Sequence, residues 1–306
     1  MMAQRPALDH SGRQISEAEL ALIRQTVGLF PQLSLKELAS TISEHLGWYT
    51  AGGAVKRDAC VKLLLKLEAA GELELSDRQR QRGWARPLRP IQISERSAAG
   101  SPILGLLRGL GLVRLRVVVE PREKRLWNEY VQRYHPLGYK GPFGYRLKYF
   151  IDSERGRLGC FLMAGAAKAL GARDRWIGWS DRARLCNLSW VTNNSRFLIF
   201  PWVEVKNLAS HALALLAQRL GEDCENRWGY RPLLMESFVD PAHYGGTCYK
   251  AAGWEFVGMS TGEGLVRPGA SYTTTPKMIF VKPLHPDFRN LLRSQDLLQH
   301  AGRGAD

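Results

Sequence analysis

Residues 248–258 read CYKAAGWEFVG, and this stretch decides the prediction for the fold. A short helix over residues 247–252 would end at Gly253, because glycine readily adopts the left-handed conformation that closes a helix. The alternating segment Glu255-Phe256-Val257 then predicts a strand. A helix that turns directly into a strand in this way is typical of an α/β domain.

The sequence on both sides of this stretch also alternates between strand and helix patterns. Apolar runs predict strands, and apolar residues three or four positions apart predict helices. The predicted strands are 113–119, 145–151, 158–164, 196–205, 233–239, 255–257 and 277–281, and the predicted long helices are 122–134 and 208–220. The sequence therefore predicts an α/β (α+β) domain with a mixed sheet over residues 113–295.

Residues 12–76 predict a separate, smaller module. Ser16 and Ser34 each stand three residues before a glutamate, in the capping-box pattern that begins a helix. A third helix is expected at 55–70, after a Gly52-Gly53 turn, and the alternating residues 72–75 predict a strand. This layout is typical of a winged-helix or related helix-turn-helix unit. Residues 77–112, rich in arginine and proline, predict a basic linker.

The third helix of this module is the candidate recognition element for nucleic acid. Lys56, Arg57 and Lys62 lie in its first turns, where they could meet phosphates or base edges. Residues 1–95 have a net charge of only +2, however, and a three-helix bundle that contacts a protein partner is the alternative interpretation.

The positive charge is concentrated in the second part of the chain. The whole chain carries 43 Lys and Arg against 29 Asp and Glu, a net charge of +14, and residues 114–184 alone contribute +9. Such a bias favours a polyanionic partner, most simply duplex or single-stranded DNA, or RNA. The alternative is a basic surface that only keeps the protein in solution.

Cysteine spacing and hydropathy limit the cellular setting. The five cysteines are widely separated, which argues against a disulfide framework and against a cysteine-based zinc site. The N-terminal residues lack the pattern of a signal peptide. The apolar run 103–119 contains three arginines and cannot cross a bilayer cheaply. We therefore expect a cytoplasmic protein with no membrane partner and no bound metal.

The stretch 248–258 resembles the pattern of the GNAT acyltransferase fold, in which a tyrosine precedes a Gly-aromatic pair and a strand. In that family the tyrosine commonly protonates the departing thiolate of the acyl carrier, and the matching residue is Tyr249. GNAT enzymes also bind coenzyme A at a glycine-rich turn, but residues 204–211 read EVKNLASH here. The cofactor is therefore unknown, and Lys206 beside a helix N-terminus is expected to hold a phosphate, including that of a nucleic-acid backbone.

The chain as a whole resembles the DruA family over about residues 12–295. The segments that carry this resemblance are YHPLGY at 134–139, WVTNNSRF at 190–197, GGTCY at 245–249 and HLGW at 45–48. Members of that family occur in Druantia anti-phage defence systems and as companions of transposable elements. The resemblance implies a defence or mobile-element setting, nucleic-acid handling, and a helicase or a transposase as partner.

Two polar segments are candidates for nucleic-acid binding. The loop that follows residue 134 combines aromatic, glycine and proline residues, and His135 within it could act as an acid or a base. Asn193, Asn194 and Arg196, at the expected entrance of a strand, could bind bases or phosphates. A packed loop and ordinary turn chemistry are the respective alternatives.

Three residues are candidates for proton transfer in the cleft of the α/β domain. They are Tyr249, His135 and Glu236. For Tyr249, a packing role in the core is the alternative. Three functions remain open: a nucleic-acid-binding protein without catalysis, an acyltransferase acting on a base, RNA or protein, and a Mg²⁺-dependent nuclease or transposase. The last would use Asp152, Glu236 and Asp240 as metal ligands.

Overall fold

The computed structural model of the chain describes residues 8–31, 33–51, 54–80, 90–139, 146–262 and 275–294. Within these ranges the chain forms a helical N-terminal module and a larger domain built on a seven-stranded sheet. Among the described helices, none is both long enough and apolar enough to traverse a bilayer. The predicted turn at Gly52-Gly53 lies outside the described residues.

The N-terminal module packs three helices around a small apolar core. Its elements are β1 (Leu8–His10), β2 (Arg13–Ile15), α1 (Glu17–Leu29), α2 (Leu35–His45), α3 (Arg57–Ala69) and α4 (Asp77–Arg80). Ser16 and Ser34 cap α1 and α2, and each forms the predicted capping box with the glutamate three residues later. These boxes satisfy amide groups that the first helical turn would otherwise leave unpaired.

The predicted strand at 72–75 is wrong, because these residues are not paired with any described strand. Side chains of the preceding helices bind this backbone instead: Arg24 Nε donates to the Glu72 carbonyl at 3.0 Å, and the Leu75 amide donates to Glu68. The two strands of the module form a hairpin before α1, where His10 Nε2 lies 3.0 Å from the Ala59 carbonyl of α3. The winged-helix interpretation therefore stays a prediction.

Residues 90–112, predicted as part of a linker, instead fold against the α/β domain. Strand β3 (Ile103–Leu106) pairs in parallel with β8 (Val203–Lys206) in a separate two-stranded sheet. The amide and hydroxyl of Ser94 donate to Glu129, and Tyr134 Oη donates to the Ser97 carbonyl at 3.0 Å. These contacts join the segment to the domain that follows it.

The large sheet has the strand order β10-β11-β9-β7-β6-β5-β4. Every neighbouring pair is antiparallel except β7 and β9, which are parallel. Its elements and the surrounding helices are β4 (Arg114–Val117), α5 (Pro121–Tyr134), β5 (Leu147–Ser153), β6 (Gly156–Gly165), α6 (Gly171–Ile177), α7 (Asp181–Asn187), β7 (Val191–Ile199), α8 (Leu208–Trp228), β9 (Leu234–Val239), α9 (Thr247–Ala251), β10 (Glu255–Met259), β11 (Met278–Pro283) and α10 (Phe288–Arg293).

The seven strands of the sheet and both long helices occur in the predicted order, but some boundaries are wrong. The predicted strand 196–205 covers parts of two strands of different sheets, β7 and β8, and α8 continues to Trp228, beyond the predicted end at residue 220. The central strand was predicted to begin at residue 196, whereas β7 begins at Val191. The difference arises because Val191–Asn194 pair with Leu234–Ser237 of β9, a distant partner that local sequence cannot reveal. Asn193 and Asn194 therefore lie inside a strand and are not turn residues.

The two faces of the sheet are covered by different helices. Helix α5 covers one face, where the Tyr130 ring lies 4.6 Å from the Phe200 ring and 6.2 Å from the Phe150 ring. Helix α8 covers the other, where Tyr149 Oη donates to Asp223 at 2.8 Å. We refer to these as the α5 face and the α8 face. Because side chains alternate along a strand, Lys148 lies with Phe150 on the α5 face.

Strands β7 and β9 separate toward their C-terminal ends. Their last paired residues are Asn194 and Ser237, although β7 continues to Ile199. A bulge in β7 places Ser195 between the partners of Leu162 and Met163 of β6. An unpaired edge of β7 therefore opens beside β9 in the middle of the sheet.

We predict that Ser34→Ala lowers the free energy of unfolding by about 1 kcal/mol, because it removes the N-cap of α2. Ser40→Ala is the matched control, since Ser40 lies within the same helix and donates only to the Lys36 carbonyl four residues earlier. Urea unfolding followed by circular dichroism measures both. Equal stability of the two variants would contradict the capping role.

Candidate functional site

Tyr249 lies where β7 and β9 separate. Its hydroxyl oxygen is 2.9 Å from Ser237 Oγ and accepts a hydrogen bond from Asn194 Nδ2 at 3.2 Å. Gly246 makes this position possible: its φ is +69°, and a Cβ there would lie 2.4 Å from the Phe280 ring. Only glycine therefore lets α9 approach the sheet this closely.

The Tyr249 side chain is enclosed by aromatic rings and is only 6 % exposed. Phe280 stacks on it at 5.3 Å between ring centroids, and Trp254 and Phe197 meet it edge to face at 5.2 and 6.4 Å. Burial raises the pKa of Tyr249 above its ordinary value, so the phenol keeps its proton at neutral pH. The predicted proton donor is thus protonated, but it is also a packing residue whose hydroxyl is already bonded.

The two asparagines of β7 each leave one polar atom without a partner. The side-chain oxygens of Asn193 and Asn194 are buried and accept no hydrogen bond from any described residue. A buried acceptor without a donor destabilises a fold by about 1–3 kcal/mol. The point where β7 and β9 separate therefore contains unused hydrogen-bonding capacity, in addition to the bonded Tyr249 hydroxyl.

Glu236 is fully buried on the α5 face, opposite Tyr249. Its Oε2 lies 2.6 Å from Arg173 Nη1, and its Oε1 accepts the Ala167 amide at 2.7 Å. Both carboxylate oxygens are therefore occupied by donors of the fold. The structure does not bring Glu236 together with Tyr249 or His135, so its predicted catalytic role has no geometric support.

Arg173, which sequence reasoning missed, is fully buried and joins α6 to the sheet. It donates to Glu236 and, from Nε and Nη2, to Asp174 Oδ1 at 2.9 and 2.7 Å. Burial alone would lower the pKa of Arg173, but the two carboxylates raise it. No sequence motif indicates this ion pair, because residues 173 and 236 are far apart in the sequence.

His135 and Arg196 lie together at the end of α5. His135 is the C-terminal cap of that helix, and its Nδ1 accepts the Leu137 amide at 3.2 Å. Arg196 Nε donates to the Gly138 carbonyl at 2.8 Å. Burial, and then the charge of Arg196, lowers the pKa of His135 to about 4. The imidazole is therefore neutral at pH 7, and because Nδ1 already accepts the Leu137 amide, Nε2 carries the ring proton and can donate a hydrogen bond.

Lys148 is a second cation of this region, and sequence reasoning missed it. Its Nζ lies 4.5 Å from the Tyr139 ring centroid and 4.8 Å from that of Trp127, and it donates to Asn128 Oδ1. Burial, and then the charges of Arg146 and Lys124, lowers the pKa of Lys148 to about 8. The sequence signal for Lys148 was a lysine between the apolar residues of a strand that is buried on both faces.

Lys148 and Arg196 belong to one group of cations on the α5 face. Both are direct partners of Leu162, one on each side of β6, so their backbones are about 10 Å apart. We call Lys124, Arg146, Lys148 and Arg196 the basic cluster. Within the described ranges, no carboxylate forms an ion pair with Lys148 or Arg196, whereas several arginines of the basic segment are paired: Arg116, Arg157, Arg173 and Arg184.

The three carboxylates of the nuclease interpretation lie apart, each with its own cation. Asp152 lies 2.9 Å from Arg116 Nε, and Asp240 lies 2.5 Å from Lys277 Nζ. Asp152 on β5 and Glu236 on β9 are separated by three strand intervals, about 14 Å. That distance exceeds what one metal ion can bridge. Within the described residues there is no group of three His, Cys, Asp or Glu side chains that could hold a metal ion.

The remaining predicted contacts lie elsewhere on the chain. Arg57 and Lys62 are exposed on α3, whereas Lys56 is half-buried at the N-cap of the same helix. Lys206 is exposed at the end of β8, before Asn207 begins α8 with a left-handed φ of +65°. The structure therefore brings Arg196 and His135 together, and it adds Lys148 to them, but it does not place these other cations in the basic cluster.

The comparisons with known proteins concern the α/β domain. The family model described as Druantia protein DruA matches residues 110–286, which include the whole seven-stranded sheet. The chain has no match among the curated proteins.

The solved structures that are similar to part of the chain include the following three, each at low sequence identity. An aminoglycoside acetyltransferase in complex with coenzyme A and kanamycin is 16 % identical, with 60 % of this chain and 100 % of that chain covered and a TM-score of 0.37. An acetyltransferase from Bacillus subtilis in complex with coenzyme A is 8 % identical, with 57 % and 100 % covered and a TM-score of 0.32. An N-acyl amino acid synthase from uncultured soil microbes is 17 % identical, with 62 % and 96 % covered and a TM-score of 0.34.

We predict that Glu236→Gln lowers the free energy of unfolding by about 3 kcal/mol, since it leaves the buried Arg173 with an incomplete set of partners. Glu204→Gln, at an exposed site of β8, is the matched control and should change stability by no more than about 0.5 kcal/mol. Denaturant unfolding measures both. An unchanged stability of Glu236→Gln would contradict the structural role.

We also predict that His135 makes the protein less stable in mild acid. The pKa of His135 is about 4 in the folded chain and about 6.5 in the unfolded chain, so the unfolded state binds more protons between these values. Stability should therefore fall as the pH falls from about 6.5 to about 4, and less steeply in His135→Gln. Urea titrations across this range measure the difference, and parallel curves for variant and wild type would contradict it.

Proposed function

The chain belongs to the DruA family, and we propose that it is a nucleic-acid-binding protein acting in the anti-phage defence setting of that family. The observation that carries this proposal is the basic cluster. Lys148 and Arg196 are half-buried on one face of the sheet, and no described carboxylate pairs with either of them.

The electrostatics of the cluster favour an anionic partner. Lys148 is held near Arg146 and Lys124, whose charges disfavour its protonated form, and burial disfavours it further. An arrangement of this kind costs free energy in the free protein. A phosphate placed between these cations would offset that cost, and a backbone with regularly spaced phosphates could meet several of them at once.

Aromatic residues beside the cluster support a nucleic acid over a simple anion. Tyr139 is half-buried next to Lys148, and its ring meets the buried Trp127 edge to face at 5.6 Å. Aromatic side chains that alternate with cations are typical of surfaces that bind single strands, because every base has a face that can stack. The adjacent Arg196 adds a phosphate contact, and Nε2 of the neutral His135 adds a hydrogen-bond donor.

The N-terminal module supplies the second contact in this proposal. Arg57 and Lys62 are exposed on α3, where they could meet the backbone of a duplex. In the defence or mobile-element setting of the family, a helicase or a transposase would be the protein partner that acts on the bound nucleic acid.

Acyl transfer to a base, RNA or protein is the second candidate function. It is favoured by the place of Tyr249, a protonated tyrosine at the point where β7 and β9 separate. Against it, β8 and Asn207 occupy the sequence position where the GNAT pattern has a glycine-rich turn. Incubation with radiolabelled acetyl coenzyme A and DNA, RNA or protein tests it: transfer that is lost in Tyr249→Phe, which keeps the packed ring, would support this function.

We predict that Lys148→Met and Arg196→Gln each weaken nucleic-acid binding about tenfold and each reduce the salt dependence by about one phosphate contact. Methionine and glutamine keep most of the buried stem of each side chain while removing its charge. Fluorescence anisotropy with labelled duplex DNA, single-stranded DNA and RNA over a salt series measures both effects.

Arg227→Gln is the matched control for this experiment. Arg227 is exposed on α8, which covers the opposite face of the sheet, and its removal changes the net charge by the same amount. It should leave binding close to that of the wild type. Two results would contradict the proposal: no binding of any of the three nucleic acids at low salt, or equal losses in the cluster variants and the control.

A further inference from the structure

A cavity of about 460 Å³ lies between the N-terminal module and the α/β domain. The module contributes Thr50 and residues 54–59, and the latter lead into and begin α3. The α/β domain contributes the end of β6, the start of β7 and the C-terminal part of α8. The cavity therefore lies near the N-terminal end of β7, which is paired with β9. The unpaired edge of β7 lies at the other end of the strand, beyond Asn194 and Ser237. The cavity is therefore separate from the basic cluster.

The wall of the cavity is mostly apolar. Val55 of the module faces Met163, Val191 and Trp228 of the α/β domain across it. Its volume lies within the range of about 300–1,000 Å³ that is usual for small-molecule sites, which are typically lined by apolar side chains with a few polar groups. A site of this kind holds an apolar ligand body and selects it through the polar groups.

Lys56 is the charged side chain that determines which ligands the cavity prefers. It is half-buried at the N-cap of α3 and lines the cavity, and no described acidic residue forms an ion pair with it. Burial lowers the pKa of Lys56; the nearby Cys186 opposes this shift and the charge of Arg13 adds to it.

The first turn of α3 has no side-chain cap, but the Arg57 and Ala59 amides are bonded to the Val55 and Lys56 carbonyls. Asp58 of this turn also lines the cavity. Lys56 is therefore the group on which recognition of an anion depends.

We propose that this cavity binds an amphipathic ligand with an apolar body and a single anionic group, such as a medium-chain carboxylate. The anionic group lies against Lys56, and the apolar body fills the space between Val55 and Trp228. This site stands on the cavity and Lys56 alone and does not depend on nucleic-acid binding.

A ligand in this position touches both parts of the chain. Any ligand that binds the folded chain and not the unfolded chain stabilises the fold by mass action. Because the bound ligand contacts α3 and the α/β domain together, saturation with decanoate should raise the melting temperature of the full-length protein.

Two dyes of similar shape test the proposal. The probes are 8-anilinonaphthalene-1-sulfonate, which carries one negative charge, and N-phenyl-1-naphthylamine, which carries none. Fluorescence titration of the full-length protein should show saturable binding of both dyes, and decanoate should displace both. Lys56→Met should weaken the anionic dye about tenfold and leave the neutral dye unchanged, since one charge-assisted contact is worth about 1.5 kcal/mol.

Two further variants complete the experiment. Ala54→Trp places a large ring at an exposed position of the cavity rim and should weaken both dyes. Lys66→Met removes a charge from an exposed position of the same helix outside the cavity and should change neither affinity. The proposal is overturned if Lys56→Met affects both dyes equally or neither, or if Ala54→Trp leaves both affinities unchanged in a variant whose circular dichroism matches the wild type.

Discussion

The parallel pairing of β7 with β9 is the constraint on which the α/β domain depends. It is the one parallel contact of the described sheet, and it ends at Asn194 and Ser237. Tyr249 closes this end by bonding to both side chains, and Gly246 lets α9 come close enough for it to do so. This pairing fixes the register of the central strands. Because side chains alternate along a strand, the register determines which neighbouring residues lie on the α5 face and which lie on the α8 face.

On the α5 face, some buried or half-buried charged side chains have a partner of opposite charge, and others do not. Glu236 lies on the α5 face with Arg173, and the pair is fully buried and closed by further hydrogen bonds. Lys148 and Arg196 lie on the same face without a carboxylate among the described residues. The pair of Glu236 and Arg173 holds α6 against the sheet, whereas Lys148 and Arg196 are available to an anion from outside the chain. The difference explains why the functional proposal rests on Lys148 and Arg196 and not on Glu236.

Local patterns in the sequence were sufficient to predict the seven strands of the sheet and both long helices, but not that residues 196–205 divide between two sheets. The capping boxes at Ser16 and Ser34 and the Gly253 stop have local causes, and the stretch 248–258 placed Tyr249 on the short helix that packs against the sheet. The start of β7 could not be predicted, because it depends on pairing with β9 some forty residues away. The ion pair of Glu236 could not be predicted either, because its partner Arg173 lies on a distant short helix with little periodicity. Without that partner, Glu236 is interpreted as a catalytic residue. Lys148 belongs to no motif, and only the packing of α5 over β5 shows that it is half-buried.

The central claim is that the uncompensated charge of Lys148 meets a nucleic-acid phosphate. Nuclear magnetic resonance of the lysine side-chain amino groups, assigned with Lys148→Met, measures the pKa of Lys148 directly in the free protein and with a saturating oligonucleotide. The account predicts a pKa of about 8 in the free protein and a clear rise when the oligonucleotide binds, because a nearby phosphate favours the protonated form. A pKa of Lys148 that does not change while the oligonucleotide is bound would contradict it.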